Sequence, residues 1–127
     1  MIQMQTILRV LDNSGAKLVY CIRVIKRGAF TNRGRLTDLL VVSVKKLRDK
    51  NKFLSKVKKG DIVYAVVIKT RQSFCRKVGY AIKSDVNAVA LLSKQLKPIG
   101  TRIFSTLPYE LRSTRNSKLL SLGNGVV

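Results

Sequence analysis

The sequence has no histidine and no tryptophan, and holds just two cysteines, two prolines and six acidic residues in 127 positions. Each shortage excludes a kind of chemistry. Without imidazole, and with the carboxylates scattered singly, general acid–base catalysis lacks its usual agents. Asp12, Asp61 and Asp85 stand among turn formers, where a hydrogen bond to nearby backbone accounts for them. Cys21 and Cys75 show no paired ligand spacing, which argues against a zinc site. Cys21 lies in an apolar run and reads as a small core residue. Cys75 lies among basic residues, surroundings that lower a thiol pKa, yet two thiols so far apart do not make a redox centre. Gly123-Asn124-Gly125 lacks the strand, the helix and the third glycine of a phosphate loop. No catalytic residue, cofactor, metal or small-molecule substrate is therefore expected. The longest apolar run, residues 62–68, is too short to span a bilayer, and no basic amphipathic helix is evident, so no membrane partner is expected. Residues 1–9 lack both the charged-then-apolar order and the cleavage site of a secretory leader.

What is abundant is positive charge. Lys and Arg number 26 against six acids, a formal net charge of +20, on a chain that is 46% hydrophobic. That apolar fraction and length fit a single folded domain spanning residues 1–127, with no need of disulfide or metal staples. The charge is not a detachable tail: residues 1–55 carry 12 basic and three acidic side chains, and residues 56–127 carry 14 and three. Self-repulsion on this scale is tolerable beside a polyanion. Its even spread suggests a nucleic acid touching several faces rather than one groove met by one helix.

Residues 56–77 organise the rest. A basic turn, Lys56-Val57-Lys58-Lys59-Gly60-Asp61, leads into Ile62-Val63-Tyr64-Ala65-Val66-Val67-Ile68, β-branched and apolar at odd and even positions alike, as in a strand dry on both faces. Further strands are expected at 5–11, 18–25, 36–44 and 88–92. In the second of these, Val19, Cys21 and Arg23 share one parity. Turns are expected at 12–15 and 85–87, a basic loop at 26–35, and a basic run at 45–59 with eight Lys or Arg against Asp49. Residues 69–85 read as a projecting two-stranded ribbon, whose Phe74 and Tyr80 either stack on splayed bases or pack on the ribbon itself. Pro108 opens one short helix and Gly123 stops another within 105–123. The fold expected is mainly β: a small five-stranded closed β-barrel with a projecting β-ribbon and two short C-terminal α-helices, a closed barrel leaving no edge to aggregate.

Asp12-Asn13-Ser14-Gly15-Ala16-Lys17, Lys56-Val57-Lys58-Lys59-Gly60-Asp61 and Pro98-Ile99-Gly100-Thr101-Arg102-Ile103-Phe104, in that order, resemble the universal ribosomal large-subunit protein 14 family. Glu110-Leu111-Arg112 and Ser121-Leu122 extend the match to the end. The resemblance implies a barrel, ribbon and helices of the kind just described. It implies a structural part of the large ribosomal subunit, with large-subunit rRNA, neighbouring large-subunit ribosomal proteins and the small-subunit rRNA across the interface as partners. The rRNA-binding residues expected are Lys17, Lys45, Lys56, Lys58, Lys59, Lys69, Arg71, Arg76, Lys77, Lys83 and Arg112. Thr101, Arg102 and Lys118 match family positions facing the other subunit, where a ribosome-silencing factor docks in relatives.

Departures from the family pattern are a longer, more basic linker at 46–55, a shortened ribbon tip at Val78 and Gly79, and Ser84 where an aromatic is usual. Ser105-Thr106 replaces a Gly-Pro, with proline displaced to Pro108. Such drift at this charge favours a mitochondrial ribosome over a bacterial or plastid one. The alternative of another class is a free, sequence-tolerant RNA-binding barrel of chaperone type, which would bind RNA without a ribosome.

Overall fold

The computed structural model describes residues 2–25, 33–48, 55–114 and 116–127. Its strands are β1 (Ile7–Val10), β2 (Ala16–Ile25), β3 (Leu39–Leu47), β4 (Ile62–Lys69), β5 (Phe74–Cys75), β6 (Ala81–Ile82) and β7 (Ala88–Leu92). Strands β1, β2, β3, β4 and β7 close into a barrel in that order. The seam is parallel, Arg9 opposite Ala88 and Val10 opposite Val89, while the other four neighbours are antiparallel. Strands β5 and β6 pair with each other, outside the barrel, and form the ribbon.

Alternation along each strand decides what fills the interior. Leu8, Val10, Val19, Cys21, Leu40, Val42, Val44, Ala65, Val67, Val89 and Leu91 form one buried cluster. On β4 and β7 the opposite faces are dry as well. Val66, Ile68, Ala90 and Leu92 are buried in a second cluster with Ile103, Leu107, Leu111 and Leu119 of the C-terminal segment. The strand is thus covered from both sides over its second half, Ala65 to Ile68, whereas Ile62 at its start is 63% exposed and Val63 and Tyr64 are half-buried, so the expected dryness of 62–68 holds from Ala65 onward.

The differences from sequence expectation have local causes. Gln5 has φ 70°, which keeps it out of β1, and Thr37 has φ 68°, which delays β3 to Leu39. The register of β2 against β3 shifts between Cys21 and Arg23. Past that bulge the parity flips, so Val24 packs on the core and Arg23 is exposed, rather than sharing the side of Cys21. The two C-terminal helices form where expected, at Tyr109–Ser113 and Ser117–Leu122, but as 3-10 rather than α-helices. Five or six residues do not repay the nucleation cost of an α-helix, and each turn instead hangs on one buried leucine, Leu111 or Leu119. Pro108 immediately precedes the first of them. Gly123 ends the second with φ −87°, so the left-handed stop is not used. Space selects glycine there: a Cβ would come within 2.5 Å of Leu107 Cδ1. Residues 26–32 of the expected basic loop and 49–54 of the basic run lie outside the described residues.

Candidate nucleic-acid interface

The 12–15 turn joins β1 to β2 and gathers distant segments around it. Asp12 is 1% exposed. Its carboxylate accepts hydrogen bonds from the Leu91 N–H at 2.8 Å, the Ser14 N–H at 3.0 Å and the Ser14 hydroxyl, which satisfies a charge that burial would otherwise penalise. Asn13 Oδ1 accepts from the backbone N–H groups of Thr101 (2.7 Å) and Arg102 (3.3 Å). Gly100 fits because a Cβ would meet Asp12 Cβ at 2.8 Å. On the other side Lys56 N–H donates to the Ser14 carbonyl at 2.9 Å, and Lys56 Nζ to the Ile99 carbonyl at 3.0 Å. Three motifs far apart in the chain therefore interlock at one end of the barrel.

Around this corner, Lys56, Thr101 and Arg102 are exposed and close together through their shared contacts with the turn. Lys118 is exposed on the second 3-10 helix, which reaches the same segment through the Leu122 carbonyl accepting the Ile103 N–H at 2.8 Å. Lys58 and Lys59 sit on a turn hydrogen-bonded to Val44, next to Lys45, which lies over the Tyr20 ring at 5.1 Å. Lys17, on neighbouring β2, is exposed.

A second group of cations marks the root of the ribbon. Lys69 and Lys83 line a hollow of about 550 Å³ together with Arg9, Phe74 and Asp85. Arg71 is fixed nearby, its Nε donating to the Asp85 carbonyl at 2.7 Å and its N–H to Asn87 Oδ1 at 2.8 Å. Further out, Lys77 is exposed, and Arg112 lies over the Tyr109 ring at 5.4 Å. Arg76 differs from all of these. Its guanidinium is engaged by Glu110, which holds the Arg76 pKa above and the Glu110 pKa below its ordinary value, chiefly through the side-chain hydrogen bonds between them. Tyr80 is half exposed with Arg76 over one face, and Phe74 is half-buried.

The chain matches the family model described as ribosomal protein L14p/L23e over residues 1–127. The chain belongs to that family. Members are large-subunit ribosomal proteins, structural rather than enzymatic, so this chain has its place in the ribosome with rRNA and other ribosomal proteins as partners. Among the described residues no group of three or more His, Cys, Asp or Glu is placed to hold a metal, and no helix is long and apolar enough to cross a membrane.

Two basic residues at these surfaces were not singled out by sequence. Arg48 donates from Nη2 to the Val10 carbonyl at 3.0 Å and lies over the half-exposed Phe104 ring at 5.7 Å. Arg9 is exposed on β1 beside Lys69 and Lys83. Arg48 falls inside the basic run 45–59, and charge density alone does not separate a residue of the run that packs across the barrel end from one that points to solvent.

Proposed function

We propose that this protein binds large-subunit rRNA through two exposed basic surfaces and contributes to the contact with the small subunit. The observation that carries this is the clustering of the exposed amines and guanidinia into a barrel-end group and a ribbon group. The first comprises Lys17, Lys45, Lys56, Lys58 and Lys59; the second comprises Arg71, Lys77, Lys83 and Arg112, with the half-buried Lys69 beside them. A cation group on each of two faces suits a folded RNA that wraps the domain, holding shape rather than reading sequence. Thr101, Arg102 and Lys118 form the surface toward the small-subunit rRNA, and the same patch is where a ribosome-silencing factor would dock. Support for that comes from the exposure of all three and from their match to the family motif. The net charge of +20 and the departures from the family pattern at 46–55, Val78 and Ser105 support a mitochondrial ribosome over a bacterial or plastid one.

The test is equilibrium binding to large-subunit rRNA across a salt series, with sucrose-gradient sedimentation of the tagged chain in parallel. Affinity is expected to fall linearly in log salt, and neutralising Lys77 and Lys83 should flatten the slope by about one for each phosphate no longer neutralised. An unchanged slope removes the ribbon from the RNA surface. Sedimentation away from large particles favours a free RNA-binding barrel instead, and fractionation of organelles decides the compartment.

A further inference from the structure

The ribbon rests on little of its own. Strands β5 and β6 pair over two positions, Phe74 with Ile82 and Cys75 with Ala81, and neither pairs with a barrel strand. A lone two-stranded hairpin is at best marginally stable in water, so its direction must be set from outside. Arg76, immediately after β5, makes that connection with its whole guanidinium. Nε reaches Glu110 Oε1 at 2.6 Å, Nη2 donates to Glu110 Oε2 at 3.1 Å and to the Val127 carbonyl at 2.6 Å, and Nη1 donates to the Tyr80 hydroxyl at 2.8 Å.

The acceptors are themselves anchored. Glu110 stands beside Leu111, fully buried in the cluster that covers β4 and β7. Val127 donates to the Leu107 carbonyl at 2.8 Å and accepts from the Tyr109 N–H at 2.9 Å. Within the ribbon, the Arg76 N–H donates to the Tyr80 carbonyl at 2.9 Å and the Gly79 N–H to the Arg76 carbonyl at 3.0 Å, so the residue that is clamped also shapes the tip. A bidentate Arg–carboxylate pair fixes orientation as well as distance, which a lysine in the same place does not.

We propose that Arg76 and Glu110 form a latch that aims the ribbon, so that Arg76 is a positioning residue for Lys77 and Lys83 rather than a phosphate contact itself. The proposal rests on the RNA-binding reading for its consequence, while the latch stands or falls in the free protein. It runs against simple electrostatics: Glu110 is an acid at the RNA surface, and removing it makes the chain more positive.

The decisive variants are Glu110→Gln, Arg76→Lys and the swap Arg76→Glu with Glu110→Arg, with Lys77→Gln for comparison. Amide hydrogen exchange of the free protein reads the latch. Glu110→Gln and Arg76→Lys should speed exchange of the Arg76 and Gly79 amides several-fold, with β4 and β7 protection unchanged as the check on folding, and the swap should recover part of the loss. Binding to large-subunit rRNA reads the consequence. Glu110→Gln should weaken binding several-fold despite the added positive charge, with the salt slope retained, whereas Lys77→Gln should flatten that slope. Unchanged ribbon exchange overturns the latch. Faster exchange with equal or tighter RNA binding overturns the positioning role. If the unmodified chain does not bind the rRNA, the RNA-binding reading falls and takes the positioning role with it, while the exchange result still decides the latch.

Discussion

The side-chain amide of Asn13 holds Thr101 at two points, its Oδ1 accepting the Thr101 backbone N–H at 2.7 Å and its Nδ2 donating to the Thr101 hydroxyl at 2.8 Å. Residues 88 positions apart are thereby locked in one orientation. Asn13→Ala should lower stability by about 1–3 kcal/mol, the sum of the two shorter hydrogen bonds at ordinary worth, with the longer 3.3 Å bond from the Arg102 N–H adding little. Asn13→Asp keeps the acceptor, loses the donor and should cost roughly half as much. Urea denaturation of the purified variants measures both.

Arg102 depends on the same grip, since its N–H also reaches Asn13 Oδ1. Arg102→Glu reverses an exposed charge without touching the core, so the variant should still enter the large subunit while losing a ribosome-silencing factor. Gradient sedimentation followed by a pull-down with the factor reads both halves. Failure to assemble, or undiminished capture of the factor, would overturn docking at this patch, the first outcome pointing to large-subunit RNA there instead.

Val66→Asp should abolish folding. Val66 is fully buried, lying between the barrel wall and the C-terminal cover rather than in the barrel interior. An unpaired carboxylate there carries a penalty comparable with the whole stability margin of a domain, roughly 5–15 kcal/mol. A soluble variant with unaltered thermal unfolding would refute the dry outer face of β4.

Acid should release the ribbon later than an ordinary glutamate would allow. Hydrogen bonds from Arg76 hold the Glu110 carboxyl below its usual value of 4.5 in the folded chain. Its contribution to stability is therefore complete above the unfolded value and is lost as pH falls through the depressed folded value. Ribbon amide exchange, followed downward in pH after correction for the intrinsic rate, should stay slow through the normal carboxylate range and quicken below it. The same profile in Glu110→Gln should be fast throughout and free of that step.

The two thiols should behave oppositely. Cys21 is buried in the barrel and burial pushes its thiol pKa up, so it presents neither access nor thiolate, whereas Cys75 is exposed on the ribbon. A colourless disulfide reagent should label one thiol per native chain and two once the chain is unfolded in denaturant. Fast labelling of both in native conditions would mean that the barrel opens readily.

The barrel was legible in the residues because burial writes itself into composition. The apolar runs at 62–68 and 88–92 call for cover on both faces, and Ala65–Ile68 of β4 and all of β7 have it from the interior cluster on one side and from Leu107, Leu111 and Leu119 on the other, while Ile62 stays exposed. Turn formers at 12–15 and the motif around Gly100 were equally visible, and their joining is the tertiary structure's work. Nothing local says that Asn13 needs Thr101, because a side-chain amide suits many partners and only packing chooses one. The bulge that turns Val24 inward and Arg23 outward was hidden for the same reason, since an extra residue in one strand is defined only against its neighbour. Charge shows the gap most sharply. In the sequence Arg76 is one of five cations between residues 69 and 83, alike in its attraction for phosphate. Folding brings the Glu110 carboxylate within 2.6 Å of it, and short-range geometry then outweighs the general field and makes that cation part of the protein's own frame.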